Sequence, residues 1–177
     1  MEDVAPLGIT VEGEIGAMPN NMPTCVPGQE ASDLSDLSVY YTKPEEAKQF
    51  AEQTGVDVMT VSIGTVHGMY MAGVKSNLQI DLIKEIRAAV TDENVHLGMH
   101  GCSGTEPDQV VAAVNAGIKK INYFTAMDTS VTGAIAAMLK EYEGRPMNYS
   151  VLASKVAYEE LKKGAKKALE MFMACKR

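Results

Sequence analysis

Four times along this chain a short apolar run of strand length gives way to a stretch with helical spacing, and no hairpin signal stands between the runs. Strands met in that order, with a helix carrying the chain back each time, pair in parallel. The strand-like runs fall at 9–15, 57–64, 95–99 and 120–124. Helical stretches fall at 43–54, 78–90, 107–116 and 127–142, with a closing amphipathic helix over 151–174. The first helix has its own punctuation: Thr42 stands as its cap, Pro44 takes an early position, Glu45 and Glu46 fill the first turn, and Gly55 stops it.

The expected fold class is α/β, built as about four βα units, half the number in a closed (β/α)8 barrel of about 250 residues. The chain reads as a single domain over 1–177: a half-barrel at 8–144 and a helical extension at 145–177. The half-barrel carries a long loop at 17–38, rich in Pro, Asn, Gly, Ser and Asp, and such loops are usually functional or mobile. An open sheet of this kind exposes its edges and calls for a partner.

Composition narrows the function. Hydrophobic residues at 46% and charged residues at 22% describe an ordinary globular chain, and 177 residues bury a real core. A net charge of −7 argues against nucleic acid, where a basic stripe is expected. Lys162, Lys163, Lys166 and Lys167 recur at helical spacing, which reads as a solvated helix face. No apolar stretch reaches the roughly 20 residues that span a bilayer. Met1-Glu2-Asp3-Val4 lacks the charged and apolar regions of a signal peptide, and three widely spaced cysteines suit a reducing cytoplasm.

The chemistry gathers at strand ends. His67 and His100 each close an apolar run and each is followed by glycine, which lets the backbone turn there. Two imidazoles on neighbouring strand ends make half of a catalytic metal site. His96 stands near the start of its strand, at the far rim, and reads as structural. In the first strand Glu12 and Glu14 share a face, because alternate residues point the same way. A carboxylate buried in a strand is costly unless it is paired or binds a metal. Glu14, nearer the carboxyl end, is the candidate oxygen ligand; the alternative is that one or both glutamates pair with a lysine inside the barrel. Gly101-Cys102-Ser103-Gly104 precedes a helix opened by Thr105, Glu106 and Pro107, where small residues let backbone N–H groups approach an anion. Asn122-Tyr123-Phe124-Thr125 brings polar groups to the next strand end. Cys102 reads as a small filler.

These pieces together resemble the class II, metal-dependent fructose-bisphosphate and tagatose-bisphosphate aldolases. The matching segments stand in the family's order: residues 11–16 (Val-Glu-Gly-Glu-Ile-Gly), 41–47, 54–57, 64–70 (Gly-Thr-Val-His-Gly-Met-Tyr), 100–104 (His-Gly-Cys-Ser-Gly) and 117–122. The resemblance implies the second half of a (β/α)8 barrel. His67 and His100 then correspond to two zinc-binding histidines, and Glu14 to a glutamate at an alternative, buried metal position. Gly68, Gly101, Ser103 and Thr125 correspond to groups that hold a substrate phosphate, and Asn122 to the asparagine that contacts the ketose. The implied reaction belongs to carbohydrate metabolism, glycolysis included: reversible cleavage of a ketose bisphosphate to dihydroxyacetone phosphate and an aldehyde, with Zn²⁺ or another divalent metal as Lewis acid.

The sequence also departs from the family. Its first four strands have no counterpart here, nor have the third zinc histidine and an aspartate that works on a substrate proton. After Gly16 the family carries a Gly-Gly-x-Glu-Asp/Glu loop with an acid/base glutamate; this chain has Ala17-Met18-Pro19-Asn20-Asn21, with Glu30 as a substitute further along. Phe124 stands where the fructose enzymes have aspartate and the tagatose enzymes alanine, and Met71 stands in place of a lysine, which leaves the sugar open. The expected partners are a phosphorylated sugar and either a complementary N-terminal half-barrel or a second copy of the chain. The rival expectation is a non-catalytic half-barrel that binds sugar phosphates or serves as a subunit.

Overall fold

A computed structural model describes residues 5–20, 32–68, 76–143 and 145–175. It divides into two compact units, Met1–Asn122 and Tyr123–Arg177.

The first unit holds a four-stranded parallel sheet in the order β1-β2-β3-β4, where β1 is Glu12–Ile15, β2 Val58–Val61, β3 His96–Met99 and β4 Ile118–Ile121. Helices return the chain between strands: α1 Pro44–Thr54, α2 Ile80–Ala89 and α3 Pro107–Ala116. β1 is shorter than the run at 9–15 because the Asp57 side chain claims the backbone before it. Val11 donates its N–H to Asp57 Oδ2 at 2.8 Å, and its carbonyl accepts from Asp57 and Val58.

Thr42 does not cap α1. Lys43 holds that position without a side-chain cap bond. Thr42 is instead fully buried between strand ends: its hydroxyl donates to the Ile15 carbonyl at 2.8 Å and accepts from Ser62 N–H at 2.8 Å. One side chain thus clips the carboxyl ends of β1 and β2 together. α1 does end at Gly55, whose φ of 62° is the left-handed conformation that glycine adopts without strain.

Side chains of opposite character face the two sides of the sheet. Met59, Val61, Leu97, Met99 and Ile118 are buried with Ala47, Ala51, Ile83, Ile86, Val110 and Ala113 of the helices, and this layer is the core. Glu12, Thr60 and Lys120 meet one another on the other side. The last strand begins two residues before the expected 120–124, directly after Gly117, with Ile118 fully buried. Its ladder with β3 is irregular: Leu97 pairs Ile118, but Gly98 pairs Lys120 and Met99 pairs Ile121, leaving Lys119 as an extra residue.

The second unit holds α4 (Thr125–Glu141) and a helical run made of α5 (Tyr149–Val151), a wider π-helical stretch (Leu152–Ala157) and α6 (Tyr158–Ala174). α4 packs on α6, and the ring of Tyr123 meets Phe172 edge to face at 6.1 Å. In the closing helical run Val156 is buried, while Leu161 and Leu169 are exposed. Among the described residues no helix is long and apolar enough to cross a membrane. Cys102 is fully buried and Cys175 partly so.

Candidate active site

The carboxyl ends of the strands carry the chemistry. β2 leads into a turn at Gly64, where φ is 98° and an added Cβ would stand 2.6 Å from the Asn77 carbonyl oxygen. That turn delivers His67, whose N–H donates to the Pro19 carbonyl at 2.8 Å. β3 ends at Met99 and delivers His100. At Gly101, φ is 68° and an added Cβ would collide with the Val66 carbonyl, so the two histidine loops approach as closely as their backbones allow. The rings of His67 and His100 stack with centroids 5.9 Å apart, tilted by 27°.

Glu14 and Glu12 grip His100 from its two nitrogens. Glu14 Oε2 lies 3.4 Å from Nδ1, and Glu12 Oε1 lies 3.2 Å from Nε2. Glu12 also accepts from the Thr60 hydroxyl at 2.6 Å and from Lys120 Nζ at 2.5 Å. The lysine pairing drawn from the sequence is therefore realised at one of the two acids, Glu12, while Glu14 lies beside His100. Partial burial works against the Glu12 charge. The bonds from Lys120, Thr60 and His100, with the attraction of Lys120, overcome it and hold the carboxyl at about 2, down from an ordinary 4.5. Loss of solvent, opposed by the attraction of Glu14 and reinforced by His100, pushes His67 below the usual imidazole value. A ring kept neutral keeps a lone pair for a metal.

The fit to a divalent cation rests on these donors. The 3.4 Å between His100 Nδ1 and Glu14 Oε2 is close to the roughly 3.3 Å edge of a tetrahedral site with zinc–ligand bonds of about 2.0–2.1 Å. Neutral imidazole and carboxylate are ligands zinc accepts. His67 adds a second ring on the same rim. Among the described residues, however, no three His, Cys, Asp or Glu side chains converge as a ready-made chelate. The set is therefore partial, with one pair at chelating distance and a second imidazole beside it.

The remaining expected residues are spread over both units. Asn122 directly follows β4, with its N–H donating to the Met99 carbonyl at 3.0 Å. Gly68, with φ of 99°, follows His67. Ser103 is buried in the turn before α3, and near it the buried Thr105 hydroxyl has no hydrogen-bond partner among the described residues. Thr125 opens α4 in the second unit, where its carbonyl accepts from the Thr129 hydroxyl at 2.9 Å. Glu30 and Met71 lie outside the described residues. His96 opens β3, at the opposite end of that strand from His100. Sequence reading missed Thr60 and Lys120; the signal for Thr60 was its two-residue spacing from Ser62 in a strand whose neighbour carries alternating acids.

Known proteins share this architecture. The Escherichia coli K12 protein YdjI is 33% identical over 141 residues, covering 80% of this chain and 45% of that protein. A fructose-bisphosphate aldolase of Pseudomonas aeruginosa is 32% identical over 162 residues, with 76% of this chain and 45% of the enzyme covered. The crystal structure of the E. coli YdjI aldolase superposes with a TM-score of 0.68 at 29% identity, covering 97% of this chain and 52% of that one. A putative fructose-1,6-bisphosphate aldolase from Coccidioides immitis gives a TM-score of 0.71 at 23% identity, covering 99% and 57%. The chain thus spans about half the length of the relatives it matches, and its fold is half of a (β/α)8 barrel with C-terminal helices. The model of class II fructose-bisphosphate aldolases matches residues 1–177, and the chain belongs to that family.

Proposed function

We propose that this chain carries the carboxyl-terminal half of a class II aldolase site, for metal-dependent, reversible aldol cleavage of a ketose bisphosphate to dihydroxyacetone phosphate and an aldehyde. The observation that supports the reading is the pair His100 Nδ1 and Glu14 Oε2, 3.4 Å apart at the carboxyl end of a parallel sheet, with the His67 ring stacked on His100 at 5.9 Å. His67, His100 and Glu14 would hold the cation, zinc or another divalent ion, which supplies Lewis-acid polarisation of a substrate carbonyl when bound. Asn122 is oriented by its backbone bond to the end of β3 and would contact the ketose. Gly68, Gly101 and Ser103 would cradle a phosphate. The Thr105 hydroxyl, buried with no partner among the described residues, has a hydrogen bond to give beside them. Thr125 would add a further phosphate contact, and Glu30 would serve in proton transfer. Substrate turnover requires the other half of the barrel, supplied by a complementary N-terminal half-barrel or a second copy of this chain. Retro-aldol assays with fructose and tagatose bisphosphates test this, run on the chain alone and mixed with an N-terminal half-barrel from a relative. Activity abolished by a chelator and restored by zinc is expected with the complement; zinc-independent turnover would refute the reading.

A second reading, a non-catalytic half-barrel that binds sugar phosphates, is favoured by the partial ligand set among the described residues. Binding of phosphorylated ketoses without turnover in any combination would select it.

A further inference from the structure

We propose that Glu12 is a positioning residue, which orients the imidazole of His100 so that Nε2 is held as a donor and Nδ1 is left facing Glu14. The inference rests on the metal-centred reading above and deepens it.

The hydrogen bonds at Glu12 fix where the proton sits. Glu12 Oε2 takes the ammonium of Lys120 at 2.5 Å, and Oε1 takes the Thr60 hydroxyl at 2.6 Å. A carboxylate that accepts from both has no proton of its own to offer. The hydrogen on the 3.2 Å contact to His100 therefore belongs to Nε2. A neutral imidazole protonated at Nε2 carries its lone pair on Nδ1, the nitrogen 3.4 Å from Glu14. Carboxylates placed behind a ligating histidine in this way fix the ring and raise its basicity. The anchor itself is braced from two further strands, by Thr60 on β2 and Lys120 on β4. Gly98 on β3 leaves the room: an added Cβ there would stand 2.7 Å from Thr60 Oγ1. Four strands thus converge on one carboxylate that never needs to touch the metal.

The test combines nitrogen-15 NMR of His100 with zinc titration against a chromophoric chelator, on the full chain and on Glu12→Ala and Glu12→Gln. The metal-free wild type is expected to show His100 protonated at Nε2, with that proton protected from exchange. In Glu12→Ala the protection is expected to vanish and zinc affinity to fall tenfold or more. Glu12→Gln keeps an acceptor oxygen and is expected to recover most of both. A wild-type ring protonated at Nδ1, or a Glu12→Ala affinity within about twofold of wild type, overturns the proposal. If wild type takes up no zinc, the metal-centred reading fails by itself. The Nε2 proton then decides the positioning claim alone: lost in Glu12→Ala it stands, unchanged it falls. Should Glu12→Ala not fold, Thr60→Val and Lys120→Met loosen the same carboxylate while leaving it in place. Both are expected to weaken protection and zinc affinity, and no change in either overturns the proposal.

Discussion

A residue without a side chain makes room for the carboxylate anchor. An alanine at Gly98 would bring a methyl 2.7 Å from the Thr60 hydroxyl, in a sheet whose other neighbours are packed. Gly98→Ala is expected to lose about 1–3 kcal/mol of stability, read as a lower urea midpoint at unchanged slope. Two titrating groups shape the response to acid. His67 lies below its ordinary 6.5 and Glu12 at about 2 against 4.5, so at each the unfolded chain binds a proton more readily than the folded one. Stability from His67 is complete above pH 6.5 and drains as pH falls through its lowered native value. Stability from Glu12 is complete above pH 4.5 and drains toward pH 2. Thermal midpoints are expected to fall in these two steps on acidification, with His67→Asn removing the upper one. At this scale the sequence made His67, His100 and Glu14 legible, because histidine before glycine at a strand end and acids at alternate positions are local patterns. A lysine pairing of one of the acids was an open alternative, but the choice of Glu12 and Lys120 was not legible. It depends on which of two adjacent lysines turns toward the acids, and cross-strand register decides that.

Among the elements, the alternation of strand and helix was readable throughout, and α3 falls on its expected residues 107–116. Two boundaries moved for identifiable reasons. Thr42 has the composition of a cap but is drawn away to bridge Ile15 and Ser62. β4 starts early because burial of Ile118 outweighs the polarity of Lys119 and Lys120, which made the run at 120–124 look more strand-like. α2 reaches the core through Ile83 and Ile86, both fully buried. Ile86→Ala is expected to cost about 2–5 kcal/mol, a large share of a typical domain's roughly 5–15 kcal/mol. Chemical denaturation measures it.

For the molecule as a whole, the decisive number is the share of its relatives it spans, 45% of the two curated sequences and 52–57% of the two solved chains. Among the described residues β1 and β4 form the edges of the sheet, where a further strand could pair. With a partial donor set among the described residues, this chain alone is expected to bind zinc at least tenfold more weakly than a complete barrel formed with an N-terminal half. Competition titration of the two preparations checks it, and equal affinities would show that the other half contributes no ligand.

The irregular step between β3 and β4 makes Lys119 a spacer. Skipping it sets Lys120 opposite Gly98 and Ile121 opposite Met99, and that phase carries Asn122 to the same rim as His100. Excising one lysine of the pair gives the same chain whichever is removed. It should straighten the ladder and leave Ile121 and Asn122 with their present partners. Excising both should slide Ile121 opposite Gly98 and turn every later side chain of the strand to the wrong face. A protein that tolerates the single excision and collapses with the double one would reveal a strand carrying one residue to spare, and no more.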